Sequence, residues 1–139
     1  HFNVPDGPWA ICGLSMGGWG VMNFGLKYPE RFASIWSHSS KLDWKASQLD
    51  LSMLANPDDV DILAHADRVA KLDRKPMISF DCGVDDQLIE ENRAFHAHLE
   101  QIGLVHHYAE HPGGHTWECW PRTLPLVSWT ASEIEAMAA

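Results

Sequence analysis

The stretch Gly13-Leu14-Ser15-Met16-Gly17-Gly18 follows the apolar run Trp9-Ala10-Ile11-Cys12 and precedes residues with helical spacing. This order predicts a strand, a tight turn that holds a serine, and then a helix. A serine in that context is typical of a nucleophile elbow, in which a strained turn exposes the hydroxyl group. The stretch therefore predicts an α/β fold and a nucleophile, Ser15. The alternative is a glycine-rich turn with an incidental serine.

An elbow of this kind needs small residues two positions before and two positions after its serine, and Gly13 and Gly17 supply them. A third glycine, Gly18, would let the helix pass close to the strand. The backbone N–H groups that open the helix would face an attacked carbonyl. We take the N–H of Met16 as a candidate oxyanion donor.

The candidate for the acid that orients the base follows a second apolar strand, predicted over residues 76–83. Acidic residues just beyond the carboxyl end of a strand lie at the edge of the sheet where sites form in open α/β folds. We choose Asp86 first and Asp85 second, and Asp81 ranks third because it still lies inside the strand pattern. One of the first two could instead cap the helix predicted to begin near Leu88, while the other serves the site.

The candidate base is His115, in a loop predicted to leave a strand over residues 105–110. Pro112, Gly113 and Gly114 make this loop turn sharply and frame His115 more closely than the other loop histidine, His111. His111, His115 and Cys119 also recur at four-residue steps, which on a helix would favour a metal site. The proline and glycines make a helix improbable there, so we expect no metal and no cofactor.

The remaining pattern predicts one domain over residues 1–139, with four strands, helical crossovers and hence a parallel sheet. A further strand is predicted over residues 32–37, and a helix is predicted to begin at Asn56 and Pro57. Residues 41–55 read as an irregular excursion. Further helices are predicted over 17–27, over 88–102 with Gly103 at its end, and within 116–137. In the helix that follows Asn56, the apolar residues at helical spacing are Val60, Leu63, Ala66, Val69 and Ala70.

Composition limits the partners. The chain of 139 residues is 45% apolar and has a formal net charge of −9 without a basic cluster, which disfavours nucleic acid and anionic membranes. The three cysteines, Cys12, Cys82 and Cys119, are interpreted as small apolar fillers, the first two in buried strands. They suggest a reducing compartment, and with no signal peptide or membrane span in the pattern we expect a cytoplasmic protein.

Seven tryptophans are many for this length. Trp19, Trp117 and Trp120 flank the candidate nucleophile and base, where they could line a substrate pocket. Core packing is the alternative for each of them. We take Trp19 and Trp117 as candidate substrate-binding residues.

Three segments in this order resemble the esterase D-like "putative esterase" family of α/β-hydrolases. They are residues 13–32, which end in Tyr28-Pro29-Glu30-Arg31-Phe32, residues 81–92 and residues 108–120. The family includes S-formylglutathione hydrolases, feruloyl and acetylxylan esterases, enterochelin esterases and antigen 85 acyltransferases. The resemblance implies that Ser15 is the nucleophile, Asp86 the acid and His115 the base, with Met16 as an oxyanion donor.

The resemblance also implies a departure, because family members carry several strands before the elbow and a second oxyanion donor among them. We therefore interpret the chain as the C-terminal half of the usual fold, either as a fragment of a longer protein or as an unusually small hydrolase that completes its sheet in another way. The strand at Trp9 to Cys12 would then be an open edge, so we expect a homo-oligomer or association with an N-terminal segment.

The function expected is that of a serine carboxylic-ester hydrolase, which acts through an acyl-enzyme on small-molecule esters with small or medium acyl groups. The alternatives are an acyltransferase of the same family, and a non-catalytic hydrolase fragment or binding module.

Overall fold

The computed structural model describes residues 6–43 and 56–120. They form a four-stranded sheet and three α-helices. In chain order the elements are β1 (Trp9–Leu14), α1 (Met16–Lys27), β2 (Phe32–His38), α2 (Ile62–Val69), β3 (Met77–Gly83), α3 (Ile89–Gln101) and β4 (His107–His111). The strands lie in the order β1-β2-β3-β4, and every neighbouring pair is parallel. This confirms the predicted parallel α/β-hydrolase-type sheet with helical crossovers.

A single apolar core lies between the sheet and the three helices. Each of the first three strands is followed by a helix that returns along the same face, so the three helices pack side by side on it. The strands contribute Ile35, Ile78 and Phe80, all of them fully buried. The helices contribute Val21, Met22, Leu26, Ile62, Ala66, Val69, Phe95 and Leu99.

β1 lies at one edge of the described sheet and pairs only with β2. The prediction that Cys12 is buried is wrong: its side chain is exposed, because an edge strand has a neighbour on one side only. Cys82, in the interior strand β3, is fully buried as predicted.

The helix predicted from Asn56 begins later than expected. Asn56 does act as a cap, since its side chain accepts the N–H of Asp58 at 3.1 Å, but the turn that follows is a short 3₁₀ helix, Pro57–Val60. Asp61 then caps α2 by accepting the N–H of Ala64 at 3.1 Å. The tighter winding of the first turn changes which residues face inward. Leu63, which belongs to the apolar set at helical spacing, is 43% exposed, while Ile62 is buried.

The other predicted helices fall close to their expected bounds. α1 starts one residue early, and Gly103 ends α3 with a φ of +68°, as predicted from its position. Residues 44–55 of the predicted excursion and residues 121–137 of the predicted last helix lie outside the described part of the chain. Within the described ranges, no helix has the length and apolarity needed to cross a membrane.

Candidate active site

Ser15 occupies a sharp turn between β1 and α1. Its backbone has φ 56° and ψ −118°, a conformation that L-residues rarely adopt and that costs about 1–3 kcal/mol. The backbone N–H of Ser15 donates to the carbonyl of His38 at 2.8 Å, which ties the turn to the end of β2. The chain therefore holds this serine in a strained conformation by contacts on both sides of the turn.

Two of the three glycines around the serine are required by space. A Cβ on Gly13 would overlap the backbone of Gly17, and a Cβ on Gly18 would overlap the hydroxyl of Ser40. A Cβ on Gly17 would meet nothing within 4 Å. The expectation that Gly17 must be small is therefore wrong, because the close approach at this turn involves Gly17's backbone and not the space beside its Cα.

The side chain of Ser15 points to histidine. Ser15 stands at the N-cap position of α1, where serine usually caps the helix, yet it makes no side-chain cap hydrogen bond. Its Oγ lies instead 2.8 Å from Nε2 of His115, although the two residues are 100 positions apart in the chain. The hydroxyl group is therefore hydrogen-bonded to the imidazole and not to the start of the helix.

His115 is held in turn by Asp86. The Nδ1 atom of His115 lies 2.8 Å from Oδ2 of Asp86, whose side chain is completely buried. A carboxylate can only accept, so the Nδ1 atom carries the proton and Nε2 is left to accept from the hydroxyl of Ser15. The three side chains form one hydrogen-bonded chain, from hydroxyl to imidazole to carboxylate.

Asp86 also caps the start of α3. Its second oxygen, Oδ1, accepts the backbone N–H of Leu88 at 2.9 Å. The sequence suggested that one of two adjacent aspartates would cap while the other served the site; in the structure Asp86 does both. Asp85 is exposed, and its backbone N–H donates to the carbonyl of Gly113 at 3.0 Å, beside the loop that carries His115.

Asp81, the third-ranked acid, lies in β3 away from His115 and is only 3% exposed. Its Oδ2 lies 2.7 Å from Nδ1 of His38 and accepts the indole N–H of Trp36 at 3.0 Å, and its Oδ1 lies 3.2 Å from Nε2 of His111. Burial raises the pKa of this carboxyl, but the contacts with His38, Trp36 and His111 outweigh it and hold the pKa below 3.8. Asp81 is therefore a buried carboxylate with its own partners.

The neighbouring thiol is not a competing nucleophile. Burial raises the pKa of Cys82 to about 12, and the negative charges of Asp86 and Asp81 add to the effect. Because only the thiolate attacks, Cys82 stays inert at neutral pH.

The start of α1 offers hydrogen-bond donors beside Ser15. Met16 is its first residue, and the first backbone N–H to bond back is that of Trp19, which donates to the carbonyl of Ser15 at 3.1 Å. By helix geometry the N–H groups that precede it have no acceptor within the helix. The backbone N–H of Met16, the residue after Ser15, is one of these groups, and its role as an oxyanion donor stays a prediction.

The candidate substrate-binding tryptophans lie in different surroundings. Trp19 is partly buried and packs against the core, whereas Trp117 is 74% exposed. The ring of Trp117 meets that of Trp120 edge-on at 4.8 Å, and Trp120 meets the imidazole of His115 edge-on at 5.0 Å. An aromatic surface therefore borders the imidazole on the side of the Trp117 loop.

The three residues of the alternative metal pattern face different partners. His111 turns to Asp81, His115 to Ser15 and Asp86, and the Sγ of Cys119 accepts from the hydroxyl of Thr116 at 3.5 Å. In the described ranges, no three histidine, cysteine or acidic side chains are placed to share a metal ion.

Sequence reasoning missed two contributors to this site: the carbonyl of His38 that holds the N–H of Ser15, and the partners of Asp81. The register of the sheet explains both, because it places His38 opposite Leu14 on one side and opposite Asp81 on the other. A local pattern does not contain that register. The signal available was a histidine and an aspartate, His38 and Asp81, within two strands that otherwise hold only apolar residues and serines.

Known proteins resemble this chain over nearly its whole length. A family model described as "Putative esterase" matches residues 1–128. An acetyl esterase of Caldicellulosiruptor saccharolyticus is 34% identical in an alignment that covers 79% of this chain and 49% of that protein.

Two solved structures share the fold. S-formylglutathione hydrolase of Staphylococcus aureus superposes with a TM-score of 0.69 at 22% identity, covering 94% of this chain and 51% of the other. The fluorophosphonate-binding serine hydrolase F of Staphylococcus aureus superposes with a TM-score of 0.73 at 22% identity, covering 94% and 54%. The chain thus spans about half the length of these relatives.

Proposed function

Because the chain belongs to the "Putative esterase" family, we propose that it is a serine hydrolase that cleaves carboxylic esters through an acyl-enzyme. The observation that carries the proposal is the hydrogen-bonded chain from Ser15 through His115 to Asp86, with distances of 2.8 Å at both steps. The strained backbone of Ser15 supports it, since such strain is costly and collects at functional sites.

The proposed reaction begins when Oγ of Ser15 attacks the carbonyl carbon of the ester. Nε2 of His115 accepts the hydroxyl proton as the new C–O bond forms, and Asp86 stabilises the resulting imidazolium and keeps its orientation. The negative charge on the carbonyl oxygen is met by the backbone N–H of Met16. A donor of this kind is worth about 3 kcal/mol of barrier.

The tetrahedral intermediate then collapses. The ester C–O bond breaks, and the imidazolium returns its proton to the departing alcohol, which leaves the acyl group bonded to Oγ of Ser15. Water attacks the acyl-enzyme with His115 again as base, and the acid is released. No metal ion or cofactor has a role in this sequence of steps.

We propose small or medium acyl esters as substrates. The relative from Caldicellulosiruptor saccharolyticus is described as an acetyl esterase, and the rings of Trp117 and Trp120 lie beside the imidazole that contacts Ser15, to which the acyl group would be bonded. We propose that Trp19 and Trp117 contact the substrate. In this class of fold the second oxyanion donor comes from a loop after an early strand, and the chain spans about half of its relatives' length. The activity proposed is that of the whole protein.

Two measurements test the proposal. A fluorophosphonate should label Ser15, as shown by peptide mass, and p-nitrophenyl esters from acetate to octanoate should be hydrolysed with a preference for the shorter chains. Ser15→Ala should abolish both. Labelling of another residue, or turnover that survives Ser15→Ala, would refute the assignment; stable folded protein with neither labelling nor turnover would instead favour a non-catalytic binding module.

A further inference from the structure

Four side chains from three strands form a second polar cluster beside the candidate active site. We call Asp81, Trp36, His38 and His111 the Asp81 cluster. The carboxylate at its centre is approached by three ring nitrogens at 2.7, 3.0 and 3.2 Å. The cluster therefore crosses β3 and links the end of β2 to the end of β4.

The Asp81 cluster lies outside the apolar core. Phe80, the preceding residue, packs its ring against Phe95 of α3 at 5.3 Å, and successive side chains of a strand point to opposite faces. Asp81 thus faces away from the helices. A buried carboxylate needs full hydrogen bonding to offset its desolvation, whereas apolar side chains of similar size would fill the space without that cost.

Two members of the Asp81 cluster, His38 and His111, are connected through the backbone to the proposed reacting groups. His38 accepts the backbone N–H of Ser15 at 2.8 Å, and His111 is the last residue of β4, from which the loop to His115 departs. The backbone carbonyl of Asp81 also accepts the N–H of Ser39 at 2.8 Å. The carboxylate of Asp81 thus contacts His38, whose carbonyl accepts the N–H of Ser15, and His111, from which the loop that carries His115 begins.

We propose that Asp81 is a positioning residue: it sets the distance between Ser15 and His115 by holding His38 and His111 in place. This inference rests on the proposed function, since it concerns the alignment of the same hydroxyl and imidazole. The role is distinct from that of Asp86, because Asp81 touches neither reacting group and acts through the two histidines.

The first test compares Asp81→Asn with Asp67→Asn. Asp67 also pairs with a histidine, His98, at 2.8 Å, but it is half-exposed and joins α2 to α3 away from Ser15. The amount of competent enzyme is counted by fluorophosphonate titration, so that kcat refers to active sites and not to total protein. We expect kcat per titrated site to fall about tenfold in Asp81→Asn with KM nearly unchanged, because small misplacements of reacting groups cost that much or more. Asp67→Asn should match the parent.

A second pair of variants covers the case in which Asp81→Asn fails to fold. His111 is partly exposed, and its Nε2 contacts Asp81. A glutamine amide can place an N–H donor near that position, whereas leucine cannot. We expect His111→Leu to lose kcat per titrated site and His111→Gln to regain most of it. Equal values for the two variants would overturn the proposal.

A readout that needs no turnover separates this proposal from the proposed function. The Nδ1 proton of His115, bonded to Asp86, is identified by ¹⁵N-histidine NMR through its loss in His115→Gln. Its exchange with solvent should be faster in Asp81→Asn and unchanged in Asp67→Asn. If the parent hydrolyses no ester but this exchange changes as expected, the proposed function fails and the positioning role stands. If the exchange and kcat per site are both unchanged while only the melting temperature falls, Asp81 contributes to stability alone and the proposal is wrong.

Discussion

Replacing Ser15 by glycine should stabilise the fold relative to replacing it by alanine. Both variants lose the hydroxyl and its hydrogen bond to His115, so they differ only in the Cβ atom. At φ 56° and ψ −118° that atom is the source of the strain, and glycine adopts this conformation freely.

The magnitude follows from two opposing effects. A residue held in so sparse a region costs about 1–3 kcal/mol. Glycine gives back roughly 0.5–1 kcal/mol of this, because its unfolded chain has more conformational entropy to lose. Ser15→Gly should therefore exceed Ser15→Ala by about 1 kcal/mol in free energy of unfolding, which is about 4 °C in Tm for a chain of this size.

The assay is thermal and urea unfolding of the two variants, with Gly20→Ala as the control. Gly20 lies inside α1, and a Cβ there would meet nothing within 4 Å, so alanine should be the more stable residue by about 0.5–1 kcal/mol. The sign should thus reverse within five residues of the same segment. If Ser15→Gly melts at or below Ser15→Ala while the control behaves as expected, the turn is not strained.

Further outcomes follow from the site, the surface and the sheet edge. Asp86→Asn should lower kcat on the order of 10⁴-fold, by analogy with other aspartates that orient a catalytic histidine, while Asp85→Asn should change p-nitrophenyl acetate hydrolysis little; the reverse ranking would show that the acid is misassigned. Hydrogen bonds from Arg93 lower the pKa of Glu110 to about 2, so the stability that Glu110 adds is present above pH 4.5 and lost as the pH falls towards 2. The free energy of unfolding of Glu110→Gln should lack that part of the pH dependence, and equal slopes of this free energy against pH in parent and variant would contradict the pairing. Chelation with EDTA should leave ester hydrolysis intact, and loss of activity that zinc restores would revive a metal site. The β1 edge should pair with a second copy or with an N-terminal segment, so light scattering should give a mass above 15.6 kDa. Ala10→Lys should weaken this association, and a compact, active monomer of 15.6 kDa would refute the prediction.

The sequence predicts the fold and the members of the candidate site well for a common reason. In a parallel sheet the carboxyl ends of all strands meet at one edge, so residues just beyond each strand lie near one another. Ser15, Asp86 and His115 each follow a predicted strand, and the structure brings them into hydrogen-bonding distance.

What the sequence does not predict depends on relations between segments. The exposure of Cys12 depends on which strand is at the edge, and the burial of Ile62 in place of Leu63 depends on a 3₁₀ turn that shifts the helix face. The double role of Asp86 depends on the loop of His115 meeting one carboxylate oxygen while the start of α3 meets the other. None of these is encoded in the spacing of apolar residues along one element.

The sheet is filled in the order in which the chain is made, from β1 at one edge to β4 at the other. Ser15 is thus synthesised 100 residues before His115, and its strained turn has no imidazole beside it until the last strand docks. A nascent or partly folded chain therefore holds an ordinary alcohol at this position. Under the proposed function, the reactivity of Ser15 arises only when β4 and the loop that carries His115 have docked. A reagent that modifies Ser15 would therefore also report, molecule by molecule, whether β4 is in place.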